Sequence, residues 1–75
     1  MNILIADDHA MVRKGLGMLI SHLFPGSTTI EARDVQGACE CLQKHQNDIT
    51  VGLIDLYMPG MERGTGLREL ISCAP

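Results

Sequence analysis

The stretch Val51–Gly60 reads Val-Gly-Leu-Ile-Asp-Leu-Tyr-Met-Pro-Gly, and its interpretation decides the fold. An apolar run stops at a single acid, Asp55, and a turn follows at once through Met58, Pro59 and Gly60. A short run of mostly β-compatible apolar residues bounded by a turn signal reads as a strand, Ile49–Ile54, buried on both faces. A carboxylate at the C-terminal end of such a strand stands where open parallel sheets place their ligand crevice. Working outward, the N-terminal run Asn2–Ala6 ends in the same way, in Asp7-Asp8. If the two strands lie side by side, three acids meet at one edge of the sheet.

Between these strands the period changes. Val12, Leu16, Leu19 and Leu23 recur at i, i+4, i+7 and i+11, which predicts a helix over roughly His9–Leu23 with those residues on its buried face. Asp7 and Asp8 stand at its N-terminus, where carboxylates can cap free N–H groups and meet the positive dipole end. Phe24-Pro25-Gly26-Ser27 is a break, and Thr28–Ala32 reads as a strand from its β-branched residues. Asp34 can cap a second helix, about Val35–His45, with Val35, Ala38, Cys39 and Leu42 on one face. Past the turn at Pro59, a third helix over Gly66–Cys73 carries Leu67, Leu70 and Ile71 on one side. The order β-α-β-α-β-α predicts a parallel α/β sheet covered by helices on both faces, and pairing the strands that end in Asp7 and Asp55 as neighbours gives the order 2-1-3. Asp7, Asp8 and Asp55 then share one switch point.

Composition bounds the function classes. The chain has 75 residues, enough for one small domain, with 45% hydrophobic and 20% charged residues, which is ordinary for a globular chain. Its net charge is −3, with Lys and Arg scattered singly, so a basic stripe for nucleic acid is missing and direct nucleic-acid binding is not expected. Three cysteines, Cys39, Cys41 and Cys73, have spacings that suit neither a disulfide framework nor a zinc site. The apolar runs are too short to span a bilayer, and Met1-Asn2-Ile3 lacks the basic start of a signal peptide. We expect a cytoplasmic protein.

Three carboxylates converging at a strand edge repel one another unless a cation sits among them. An all-oxygen set of this kind suits Mg²⁺, which binds through a few carboxylates, keeps waters and accepts phosphoryl oxygens. A carboxylate beside that ion can also act as a nucleophile and form an aspartyl phosphate. A nucleotide-binding fold would instead want glycines after the first strand, where this chain has Asp7-Asp8, and Gly15-Leu16-Gly17 lies inside the helix without a third glycine. An alternative reading makes Asp7 and Asp8 helix caps only, and Asp55 a turn-former before Pro59.

Two motifs, Ile3–Gly15 (Ile-Leu-Ile-Ala-Asp-Asp-His-Ala-Met-Val-Arg-Lys-Gly) and Leu53–Met61 (Leu-Ile-Asp-Leu-Tyr-Met-Pro-Gly-Met), resemble the receiver domain of two-component response regulators. The resemblance runs the length of the chain. It implies a flavodoxin-like fold in which Asp55 accepts a phosphoryl group from a histidine kinase with Mg²⁺. It implies that Asp7 and Asp8 hold the metal, directly or through water. Asp55 would be a further ligand, and Tyr57 would contribute its backbone carbonyl. Met58, Pro59 and Gly60 would shape the loop around the acceptor, Pro59 fixing φ and Gly60 tolerating a positive φ. The wording around Asp7 is most similar to regulators with a helix-turn-helix output domain, which is not present in residues 1–75.

The chain departs from the receiver pattern in ways that matter. Receivers continue through two further strand–helix units, whose strands end in a Ser or Thr and in a Lys that answer the phosphoryl group. Neither unit is in these 75 residues, so the expectation is a receiver fold truncated after the third strand and helix. Arg63 also stands where a glycine is usual, with Gly64 one place on. The third strand would expose an unpaired edge, a place for homodimerisation. The rival readings are an aspartyl phosphatase or mutase, which would want a second acid where Tyr57 stands, and an inactive pseudo-receiver acting as an interaction module. His9 is read as solvent-facing, His22 and His45 as helix-end residues, and Met11, Met18, Met58 and Met61 as packing residues. Arg33, Arg63 and Arg68 are read as solvated.

Overall fold

In a computed structural model the chain is described over residues 1–62 and 65–73. Its elements are β1 (Asn2–Ala6), α1 (Ala10–Leu23), β2 (Thr28–Ala32), α2 (Val35–His45), β3 (Ile49–Ile54) and α3 (Thr65–Cys73), with a 3-10 turn at Gln46–Asp48 before β3. The strands form a parallel sheet in the order β2-β1-β3, so β1 is central. The expected arrangement, a flavodoxin-like fold truncated after the third strand and helix, is present. Arg63 and Gly64, where a departure from the receiver pattern was noted, lie outside the described residues.

Burial follows that order. Successive β1 side chains point to opposite faces. Ile3 and Ile5 pack with Ile20 and Leu16 of α1, while Leu4 and Ala6 pack with Ala38 of α2 and Leu70 of α3. One helix therefore covers one face, and two cover the other. Leu4, fully buried, anchors the larger cluster; truncating a side chain in such a place typically costs about 2–5 kcal/mol.

Three apolar assignments change. β3, expected to be buried on both faces, is an edge strand: Val51 and Leu53 remain 43% and 39% exposed. The strand that meets the expectation is β1, because it alone has a neighbour on each side. In α1 the buried contacts come from Ile20 and the half-buried Leu16, whereas Val12, Leu19 and Leu23 are exposed. The helix lies over β1 and β2, and of that stripe only Leu16 packs against the sheet. In α3 only Leu70 of the three expected residues is buried; the close approach is made by Gly66, whose missing Cβ leaves room for the Gly60 carbonyl. The expected face of α2 is the observed one, with Val35, Ala38 and Cys39 buried and Leu42 half-buried. Asp34 caps α2 through a bond from the Gly37 N–H at 2.7 Å.

Candidate acidic site at the strand ends

The sheet ladder runs one residue past the strands and thereby fixes both acidic corners. The Asp7 N–H donates to the Ala32 carbonyl at 3.0 Å, and the Asp55 N–H donates to the Ala6 carbonyl at 2.8 Å. Asp7 and Asp55 thus leave adjacent parallel strands at the same end. One ligating atom from each of Asp7, Asp8, His9 and Asp55 lies within 4.8 Å of all the others.

Each carboxylate is held locally. Asp7 Oδ1 accepts the His9 backbone N–H at 2.8 Å and faces His9 Nδ1 at 2.9 Å, while Asp8 Oδ1 lies 3.1 Å from the same nitrogen. Asp55 Oδ1 accepts the Tyr57 N–H at 2.9 Å, an Asx-type turn that starts the following loop. The loop is tied down by buried Met58 and Met61 and by the Val35 N–H, which donates to the Pro59 carbonyl at 3.1 Å. Gly60 has φ +97°, the positive value its place after Pro59 calls for, and a Cβ there would come within 2.7 Å of Val35 Cβ. The Tyr57 side chain is 94% exposed and packs on nothing that would demand a tyrosine.

The helix-cap reading of the acids fails in its detail. The N-cap of α1 is His9, which makes no side-chain cap bond, and the Asp7 carboxylate satisfies the N–H of His9 itself, before the helix begins. Capping therefore leaves most of the lone pairs on Asp7, Asp8 and Asp55 free for other work.

Two contributors escaped the sequence reading. His9 is exposed, as expected, yet its ring stands between Asp7 and Asp8. Its hydrogen bond to Asp7 and the charge of Asp8 raise its pKa, while the His9 backbone N–H lowers that of Asp7. Arg13 donates from Nη1 to the Asp7 carbonyl at 2.6 Å and from Nε to Glu31 at 3.0 Å. It ties the end of β1 to β2. Its one sequence signal is a cation in the first turns of the helix that follows an acidic strand end.

The site is shallow. A concavity of about 630 Å³ runs beside α2 along Arg33, Gln36, Glu40 and Lys44, and none of the clustered acids lines it.

Fold and site together define an open parallel α/β domain with carboxylates converging at the β1–β3 boundary. The chain is 41% identical over 73 residues to the glycerol metabolism activator of Pseudomonas putida, an alignment covering 97% of this chain and 33% of that protein. It is 38% identical over 64 residues to the oxygen regulatory protein NreC of Staphylococcus carnosus (strain TM300), covering 85% of this chain and 29% of that protein. NreC of Staphylococcus haemolyticus (strain JCSC1435) is 36% identical over 64 residues. The chain thus spans about a third of the length of the curated relatives it matches. No protein-family model and no solved structure matches it. The relatives and the fold support a response-regulator receiver-like domain. Among the described residues no helix is long and apolar enough to cross a membrane.

Proposed function

We propose that the chain is a phosphoacceptor receiver module of a two-component phosphorelay, with Asp55 as the acceptor. The observation that carries this reading is the convergence of Asp7, Asp8 and Asp55 within 4.8 Å, on an exposed platform and with their lone pairs largely unspent. Asp7, Asp8, Asp55 and the Tyr57 carbonyl would hold Mg²⁺. When bound, that ion neutralises the acceptor and the oxygens of the incoming phosphoryl group. The donor set fits it, since three of the four clustered side chains are carboxylates and the fourth, His9, is a neighbour of Asp7 and Asp8.

An Asp55 carboxylate oxygen attacks the phosphorus of a phosphohistidine on a histidine kinase. The P–O bond forms as the P–N bond breaks, and the imidazole leaves with the electron pair. The Tyr57 N–H, already bonded to Asp55 Oδ1, orients the carboxylate. Met58, Pro59 and Gly60 hold the loop that carries Asp55 against α2 and α3. In the cell the module would be cytoplasmic and would serve a transcription regulator with a helix-turn-helix output domain, making no nucleic-acid contact of its own.

A second reading, an inactive receiver that acts as an interaction module, is favoured by the edge of β3. That edge has no paired strand among the described residues, and Val51 and Leu53 beside it are half-exposed. Intact-mass measurement after incubation with a small acyl phosphate separates the two. A gain of one phosphoryl group that requires Mg²⁺ and is lost in Asp55→Asn is the expected result. No gain in a sample shown to be folded overturns the acceptor role and leaves the interaction module.

A further inference from the structure

Cys39 and Cys73 meet where α2 packs on α3. Cys39 is buried, and its Sγ lies 3.7 Å from the Glu69 carbonyl oxygen. Glu69 precedes Cys73 by one helical turn, so that carbonyl is the one that receives the Cys73 N–H in an α-helix. The Cys39 sulfur therefore sits against the turn from which Cys73 projects. From the other helix, Gln43, one turn past Cys39, brings Nε2 within 3.9 Å of Cys73 Sγ. Cys73 packs against the core cluster that contains Cys39.

Access differs between the two sulfurs. Cys73 is half-buried and lines a cleft of about 230 Å³ with Leu42, Gln43 and Gln46, so a small molecule can reach it. Cys41 lies two residues from Cys39 and points elsewhere, with its Sγ 3.9 Å from the Glu31 carbonyl. Side chains at i and i+2 face away from each other on a helix, so Cys39 and Cys41 cannot join while α2 is intact.

We propose that Cys39 and Cys73 form a dithiol modification site that reacts with low-molecular-weight disulfides of the oxidised-glutathione class and closes into an intramolecular bridge between α2 and α3. The accessible Cys73 thiolate attacks one sulfur of the reagent, giving a mixed disulfide and releasing one glutathione thiolate. Cys39 then loses its proton to solvent and attacks the Cys73 sulfur. The Cys39–Cys73 bond forms, and a second glutathione thiolate departs. Two protein thiols are oxidised and one reagent disulfide is reduced to two thiols, so the electrons balance. Burial pushes the Cys39 thiol up to about 12, which makes the second step slow at neutral pH. The bridge encloses β3, Asp55 and its loop in one covalent ring. The site is independent of the acids at the strand ends.

The test incubates the folded chain with oxidised glutathione, blocks free thiols by alkylation and maps the product by mass spectrometry. The expected product lacks two hydrogens, is joined at Cys39 and Cys73, and is alkylated only at Cys41. Closure should quicken about tenfold per pH unit near neutrality, since it follows the thiolate fraction of Cys39. Cys41→Ser should bridge like the parent, and Cys73→Ser, a change at a half-buried position, should not bridge. Urea-unfolded chain should pair its thiols without preference. A stable glutathione adduct at Cys73 without closure, a bridge that includes Cys41, or no reaction of the folded chain would overturn the proposal.

Discussion

His9 shows how a residue's neighbours can outweigh its exposure. Its side chain is 67% exposed, yet its ring nitrogen is within 2.9 Å of Asp7 and 3.1 Å of Asp8. The Asp7 hydrogen bond is the larger influence raising its pKa, with the Asp8 charge next. The sign of the stability effect follows from the two directions. The raised His9 value gives stability that is present below the ordinary imidazole pKa and lost as pH rises through the folded one. The lowered Asp7 value gives stability present above the ordinary carboxylate pKa and lost as pH falls through the folded one. The pair is thus strongest in the mildly acidic window between the lowered Asp7 and the raised His9 values. In an NMR titration His9 should titrate above the ordinary imidazole value, and Asp7→Asn should bring it down toward that value. An unchanged His9 midpoint in Asp7→Asn would show that the ion pair does not form in solution.

At the scale of elements, the loop after β3 is held by close approaches to α2 and α3 as well as by its own turn bonds. Gly60 has a positive φ and sits where any Cβ would strike Val35, while Gly66 of α3 leaves room for the Gly60 carbonyl. Gly60→Ala meets both backbone strain and a clash, so we expect a loss of about 1–3 kcal/mol of stability. Chemical denaturation should report it as a lower midpoint. A variant as stable as the parent would mean that the loop is not docked on α2. The positive φ at Gly60 was legible from the Met58-Pro59-Gly60 turn, because local backbone geometry carries it. The role of Gly66 was not, because a glycine that leaves room for a distant carbonyl looks like any other glycine in sequence.

At the scale of the whole molecule, β3 is paired on one edge and has no paired strand on the other among the described residues, with exposed Val51 and Leu53 beside it. An uncharged open edge is a template for another strand. We propose that two copies associate through it. Sedimentation velocity across a concentration series should show reversible association, and Leu53→Lys, which places a charge beside that edge, should shift the population to monomer. A single monomer boundary at the highest concentration would exclude this interface.

Local patterning by itself determined the alternation of strands and helices and the placing of Asp7, Asp8 and Asp55 at strand ends, while the 2-1-3 order came from setting the two acid-ending strands side by side. Those follow from hydrophobic period, turn residues and the topology rules for parallel sheets, which act over a few residues at a time. The helix face of α2 was legible for the same reason, since both its flanks pack in the described fold. Tertiary structure alone decided which strand is fully buried, which stripe of α1 faces the sheet, and that His9 and Arg13 join the acidic corner. An apolar run reads alike whether its strand is central or at the edge, because burial depends on what lies beside it. Likewise, nothing local ties Arg13 to the Asp7 carbonyl or sets Cys39 against Cys73; those contacts exist only once β1, β2 and the helices have been brought together.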